Sequence, residues 1–300
     1  MSMMTRYYSV AGQEFCVTAG ESDFGLMTNY EPFAASHHEP VFTLTVGEGE
    51  GPAYTETFRQ EEEGQVIVCG SRIANSSERD GASERDGAAE GEPVFEFQWD
   101  GQTAGWLVCS ADYREARLLV TGYARKMAID SALMILYALT TADKGTLLFH
   151  AAVVSHEGRG YMFLGKSGTG KSTHASLWLK HIEGVELMND DNPVVRITDG
   201  SAIVYGSPWS GKTPCYRNVS HPLGGIVLLS QAPYNKIERL QGIAAYVAIV
   251  SSVSGMRWNE RIADGLHRTE NMLVQTVPTW HLECLPDEAA ARLCYAEMRN

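Results

Sequence analysis

Eight consecutive residues of the 300, Gly165, Lys166, Ser167, Gly168, Thr169, Gly170, Lys171 and Ser172, fit the pattern G-x-x-x-x-G-K-[ST]. These residue types serve one task, holding a chain of phosphates. The glycines let the backbone curl until successive N–H groups point inward at one anion. A helix opening around Thr173 adds its positive end. Lys171 has the reach and charge for the β- and γ-phosphates, and the Ser172 hydroxyl is a hard oxygen ligand for Mg²⁺. A strand-like run, GYMFLG, leads into the loop and a helix-like run, STHASLWLKHI, follows it. That context separates a phosphate cradle from an ordinary Gly/Ser loop. Residues 165–173 are therefore read as the site of a nucleoside triphosphate, ATP with Mg²⁺.

Asp190 and Asp191 close an apolar run nineteen residues after Lys171. Adjacent side chains on a strand point to opposite faces, so the two acids cannot share one job. One can serve the metal while the other faces an acceptor hydroxyl as general base. His150 sits in the run LLFHAAVV, which reads as a strand. By itself such a histidine is usually a satisfied core residue. The segment GSPWSGKTPCYRN, 206–218, carries Lys212 and Arg217 on a Gly/Ser/Pro loop between two strand candidates. Phosphoryl transfer needs positive charge at the equatorial oxygens, and a closing loop can deliver it while excluding water. Lys212 is the stronger candidate, because it sits among small residues. Trp209 and Tyr216 read equally as cover for the base or acceptor and as packing anchors.

A histidine in a strand, a cradle glycine fifteen residues later and a double aspartate after the next helix resemble the catalytic domain of HPr kinase/phosphorylase. GKSGTGKST is also similar to the P-loop of ATP-dependent phosphoenolpyruvate carboxykinase, which shares that fold. The resemblance covers about residues 146 to 231. More diffusely, WSGKTPCYRN…PLGGIVLLSQAP and WHLECLPDEAA look like stand-alone bacterial proteins related to that kinase. The resemblance implies a P-loop kinase domain of the HPr kinase/phosphoenolpyruvate carboxykinase type. It puts His150 beside the reacting phosphate and metal, makes Asp190 the hydroxyl base and Asp191 the metal partner, and leaves a homo-oligomer open. Residues 240–277 hold no equivalent of the Gly- and Arg-rich segment with which the HPr enzyme engages its protein substrate. The oxaloacetate-binding arginines of the carboxykinase are not found either. The expected activity is transfer of a γ-phosphate to a hydroxyl, first a serine of a protein or peptide, second a small molecule. A non-catalytic ATP-binding regulatory module is the reading from another class.

The elements that must hold these residues fall into two parts. Residues 1–122 read as a β-rich domain, with short alternating runs such as EFCVT, VFTLTV, QVIVC and VFEFQW separated by Gly, Asp, Asn and Pro. Inside it, 77–92 repeats SERDGA in tandem without a branched or aromatic side chain, which predicts a flexible loop. Residues 123–300 read as the α/β kinase-like domain. Ile129, Leu133, Leu136 and Leu139 predict a helix that joins the two parts. Strand and helix patterns then alternate around the cradle.

Charge narrows the partners. A formal net charge of -13 repels phosphate backbones, so nucleic acid is not expected. The start MSMMTRYYSV has no apolar run of signal-peptide length and no segment approaches a membrane span. The six cysteines form no CxxC pair and no zinc spacing, which fits scattered thiols in a reducing compartment. A cytoplasmic protein without a membrane partner is expected.

Overall fold

The computed structural model describes residues 2–36, 39–62, 64–72, 91–211 and 213–299. It is a mixed α/β structure that divides into two compact units. The first unit comprises Met1–Tyr8, Glu14–Thr28 and Ala34–Thr140, and the second comprises Ser9–Gln13, Asn29–Phe33 and Thr141–Asn300. Each is built on a large sheet. No helix among the described residues is long and apolar enough to cross a membrane.

The front sheet contains β1 (Met3–Val10), β2 (Gln13–Gly20), β3 (Ala34–Ala35), β4 (Thr43–Glu48), β5 (Thr55–Glu62), β6 (Gln65–Arg72), β7 (Glu92–Trp99), β8 (Gln102–Cys109) and β9 (Glu115–Val120). Their order is β3-β1-β2-β4-β9-β8-β7-β6-β5. Alternation of side chains gives β9 one apolar face, with Ala116, Leu118 and Val120 buried between exposed or half-exposed neighbours, whereas β5 is exposed along its whole length. Two short elements, α1 (Glu21–Gly25) and a 3-10 turn (Thr28–Phe33), interrupt the strands where no run predicted them. Within this unit α2 (Arg125–Thr141) buries Ala128, Ile129, Ala132, Leu133, Leu136 and Tyr137. Phe15 stacks on Phe42 at 5.0 Å and meets the edge of Tyr137 at 6.4 Å. The start of α2 is fixed by Arg125, whose guanidinium donates to both oxygens of buried Asp23 at 2.5 and 3.1 Å. The sequence places a boundary after residue 122, whereas α2 up to Thr140 groups with the front sheet. Of the tandem-repeat segment 77–92, residues 77–90 lie outside the described residues.

The second sheet carries the phosphate-loop motif. Its strands are β10 (Thr146–Leu148), β11 (Ala151–His156), β12 (Arg159–Leu164), β13 (Glu186–Asp191), β14 (Val194–Thr198), β15 (Ser201–Tyr205), β16 (Ser220–Gln231), β17 (Lys236–Leu240) and β18 (Thr279–Cys284). The main path is β10-β14-β15-β16-β12-β11-β13, with β18 also beside β16 and β17 beside β18. Around them lie α3 (Lys171–His181), α4 (Gly242–Val250), α5 (Glu260–Thr276) and α6 (Glu288–Arg299). Strand β12 is central, parallel to β16 and antiparallel to β11. Phe163, Trp178, Val227, Leu282, Ala291 and Cys294 share the core that locks α3 and α6 to the sheet. Full burial of side chains this size is worth about 2 kcal/mol each before entropy is counted.

The run LLFHAAVV is not one strand. It is split at Phe149 and His150 between β10, which pairs β14, and β11, which pairs β12 and β13. His150 therefore stands at a bend, where its side chain is about a third exposed (35%) rather than sealed in a sheet. An apolar run shows burial but not where the chain changes neighbours.

Candidate functional site

The loop after β12 has the backbone its glycines permit. Gly165 has φ 153, and a Cβ there would lie 2.4 Å from Thr169 Oγ1 and 3.3 Å from the Leu229 carbonyl oxygen. Gly170, at φ 103, is the N-cap of α3 and no side chain caps the helix start. The positive end of the helix dipole there favours an anion. Thr169 Oγ1 donates back to the Lys166 carbonyl at 2.7 Å, and Gln231 Nε2, at the end of β16, donates to the Gly168 carbonyl at 3.1 Å. Lys166, Ser167 and Gly168 are exposed along the loop. Lys171 is buried, its ammonium donating to the carbonyls of Gly165 at 2.9 Å and Lys166 at 3.4 Å. Ser172 and Thr173 are exposed in the first turn of α3.

Strand β13 brings its two acids to this loop. The antiparallel register pairs Ala152 with Asp190 and Ala151 with Asp191, so His150, one residue before, comes level with the strand end. The Ser172 hydroxyl donates to Asp190 Oδ1 at 2.7 Å, and Asp190 is almost fully buried. His150 Nε2 lies 3.3 Å from Asp191 Oδ1, and Asn192 Nδ2 donates to Asp191 Oδ2 at 2.7 Å. Adjacent aspartates thus face different partners, as alternation along a strand requires. Asp191 has φ 149, a backbone region that non-glycine residues rarely occupy.

The backbone around His150 is also fixed. Its N–H donates to the Ser252 carbonyl at 2.7 Å, Phe149 bridges Val253, and the Ser254 N–H donates to the Leu148 carbonyl at 2.8 Å. The turn after α4 is therefore part of the site's frame. Neither this turn nor Gln231 carries a sequence signal, because both act through tertiary pairing.

The loop 206–218 meets the same strand end. The Gly211 N–H donates to the Asp190 carbonyl at 2.6 Å, and Ser210 bridges Asp191. Lys212, the cation expected to close over phosphate, lies outside the described residues. Arg217 does not join the cluster. Its guanidinium donates to the Leu187 carbonyl and to Glu186 Oε2, both at 2.7 Å, at the opposite end of β13. Trp209 is buried and donates to the Tyr30 hydroxyl at 2.9 Å, which makes it an anchor rather than a cover for the base. Tyr216 is half-buried.

One histidine beside the cradle was not singled out by the sequence. His174, one turn into α3, accepts from Trp178 Nε1 at 3.1 Å and packs on the edge of Phe163. The indole is only a donor, so Nδ1 of His174 carries the ring proton. Burial pushes its pKa down to about 4. It is a neutral core residue, the role first considered for His150.

The fit of Mg²⁺ can be judged from donor chemistry. The Ser172 hydroxyl and the Asp190 carboxylate are hard oxygens in contact. No group of three or more His, Cys, Asp or Glu suited to a metal exists among the described residues. A cation held here would draw its other ligands from phosphates and water, which is how Mg²⁺ is usually bound.

A family model described as SynChlorMet cassette protein ScmC matches residues 120–284, more than half of the chain. The match runs well beyond the stretch that resembles HPr kinase, in both directions. No curated protein matches. Among solved structures, the Hpr(Ser) kinase/phosphatase from Coxiella burnetii aligns at 14% identity over 51% of this chain and 99% of its own, with a TM-score of 0.29.

Proposed function

We propose that this chain, which belongs to the SynChlorMet cassette protein ScmC family, is a phosphotransferase that moves the γ-phosphoryl group of MgATP to an alcohol, with a serine of a protein or peptide as the acceptor. One observation carries the reading. The cradle hydroxyl of Ser172 touches Asp190, and the next carboxylate, Asp191, touches His150, so a nucleotide site and a candidate base meet at one strand end.

The geometry favours the reverse of the order the resemblance implied for the two acids. Asp190 shares its position with Ser172, the residue type that holds a nucleotide's Mg²⁺, and is the better metal partner. Bound there, Mg²⁺ would neutralise charge on the β- and γ-phosphates. Asp191, oriented by His150 and Asn192, is the better base for the acceptor hydroxyl. The cradle N–H groups and Lys171 hold the triphosphate, and Lys171 shifts from loop carbonyls to phosphate oxygens. The acceptor oxygen forms a bond to the γ-phosphorus as the bond to the β-bridging oxygen breaks. The hydroxyl proton passes to Asp191, and ADP leaves with the bonding electron pair.

Incubation of the purified protein with γ-labelled ATP, Mg²⁺ and a bacterial lysate or serine-peptide library tests the reading. Label is expected on a serine hydroxyl. Asp191→Asn should lower transfer by about a thousandfold while MgATP affinity stays within about threefold. Asp190→Asn should instead raise the Mg²⁺ concentration needed. Tight MgATP binding with no acceptor labelled would make the chain a nucleotide-binding regulatory module. Loss of transfer in Asp190→Asn at an unchanged Mg²⁺ requirement would restore the original order of the acids.

A further inference from the structure

The second unit includes five residues that lie far from the cradle in sequence, Asn29–Phe33. They grip the loop 206–218 at both ends. Asn29 Nδ2 donates to the Pro208 carbonyl at 2.9 Å, across 179 residues of sequence. Trp209 Nε1 donates to the Tyr30 hydroxyl at 2.9 Å, with the two rings edge to face at 6.4 Å and 83°. Asn218 Nδ2 donates to the Pro32 carbonyl at 2.9 Å. Tyr30 is fully buried and Trp209 nearly so, and buried aromatic N–H and O–H groups fix ring orientation when they are paired.

From this anchor the path to the acids is two residues long. Ser210 bridges Asp191, and Gly211 donates to the Asp190 carbonyl at 2.6 Å. The approach is close, since a Cβ at Gly211 would lie 3.1 Å from that carbonyl oxygen and 3.2 Å from Asp191 Cβ. Asn189, just before the acids, donates to Ser207 Oγ and to the Trp209 carbonyl, and Ser207 donates to the Asn192 carbonyl at 2.6 Å. The stretch 207–211 therefore splints residues 189–192 from one side. The uncommon φ of Asp191 persists only where surroundings over-determine it.

We propose that Asn29, Tyr30 and Trp209 are positioning residues for phosphoryl transfer. They hold residues 207–211 against the end of β13, so that Asp190 stays on Ser172 and Asp191 on His150. A sequence segment far upstream thereby becomes part of the phosphoryl site without touching a phosphate. This inference rests on the phosphotransfer reading, with Asp191 as the base.

Two measurements on the whole 300-residue chain test it. Tyr30→Phe keeps the ring and removes the hydroxyl, and Trp209→Phe keeps an aromatic and removes the N–H. Each should lower kcat for MgATP turnover, with water standing in as acceptor, by about tenfold, while KM for MgATP stays within about twofold. The double variant should lose less than the product of the two single losses, because both changes break the shared Trp209–Tyr30 bond. Hydrogen exchange at residues 207–211 should quicken by about tenfold, while amides 165–172 keep their rates. Asn29→Ala serves as a second, milder variant if either aromatic change impairs folding. Unchanged exchange at 207–211 would overturn the brace, and faster exchange with normal kcat would overturn its positioning role. A wild-type protein that binds MgATP but never turns it over would sink the phosphotransfer reading instead, and hydrogen exchange would then decide the brace by itself.

Discussion

The two sheets each have nine strands among the described residues, and each unit ties a buried carboxylate to an arginine, Asp23 to Arg125 and Glu270 to Arg257, but the second also gathers polar side chains at a strand end. In the front unit, buried Asp23 is held bidentately by Arg125, and Gln65 donates to buried Ser131 at 2.8 Å. Burial pushes the pKa values of its thiols up, Cys69 to about 11, which leaves them poor nucleophiles. In the second unit a buried ammonium, Lys171, lies on loop carbonyls, and two adjacent carboxylates end a strand facing different partners. The second sheet is also where the chain breaks out, at the bend of His150, at the glycine loop after β12 and at the end of β13. The candidate site lies at those breaks, where backbone groups and polar side chains are released from the ladder.

Phe15→Ala should empty the front core and cost about 4 kcal/mol of stability, read as a fall in urea midpoint, without changing the MgATP affinity of the folded molecule. A change in affinity would tie the front core to the candidate site. Lys171→Met should weaken MgATP binding by about a hundredfold, about 3 kcal/mol, in a titration of nucleotide affinity. Equal affinity would remove the cradle from nucleotide binding.

His174 sharpens the contrast through pH. Its folded pKa is depressed to about 4, below the unfolded value near 6.5. The unfolded chain takes up this proton first as the pH falls. The contribution is therefore complete above about 6.5 and is lost progressively toward pH 4, about 3 kcal/mol in all. Denaturant midpoints across that window should fall in the wild type and flatten in His174→Gln. The smallest effect belongs to Arg217→Ala, whose exposed pair with Glu186 is worth no more than about 1 kcal/mol. MgATP turnover should be unchanged, and a clear loss would return Arg217 to the phosphate role its sequence position suggested.

Legibility followed how local each signal was. The glycine loop between strand and helix was plain, because Gly165, Gly168 and Gly170 act through their own backbone. The strands of the front sheet were plain too, since alternation is visible within six residues. The bend at His150 was hidden inside one apolar run, and β17 and the 3-10 turn at 28–33 left no pattern at all. Arg217 was misplaced for a physical reason: a loop cation goes to the nearest carboxylate, and Glu186 supplied one that the sequence could not rank.

The amino-acid sequence by itself determined that a glycine-rich loop of the pattern G-x-x-x-x-G-K-[ST] stands between a strand and a helix, with two acids on a following strand. It also determined that a β-rich part precedes them. These are short-range consequences of φ freedom, helix dipoles and side-chain alternation. Only the tertiary structure decided which acid meets Ser172 and which meets His150, and that Tyr30 reaches Trp209 across 179 residues. Such pairings depend on register and chain crossing, which no local pattern encodes.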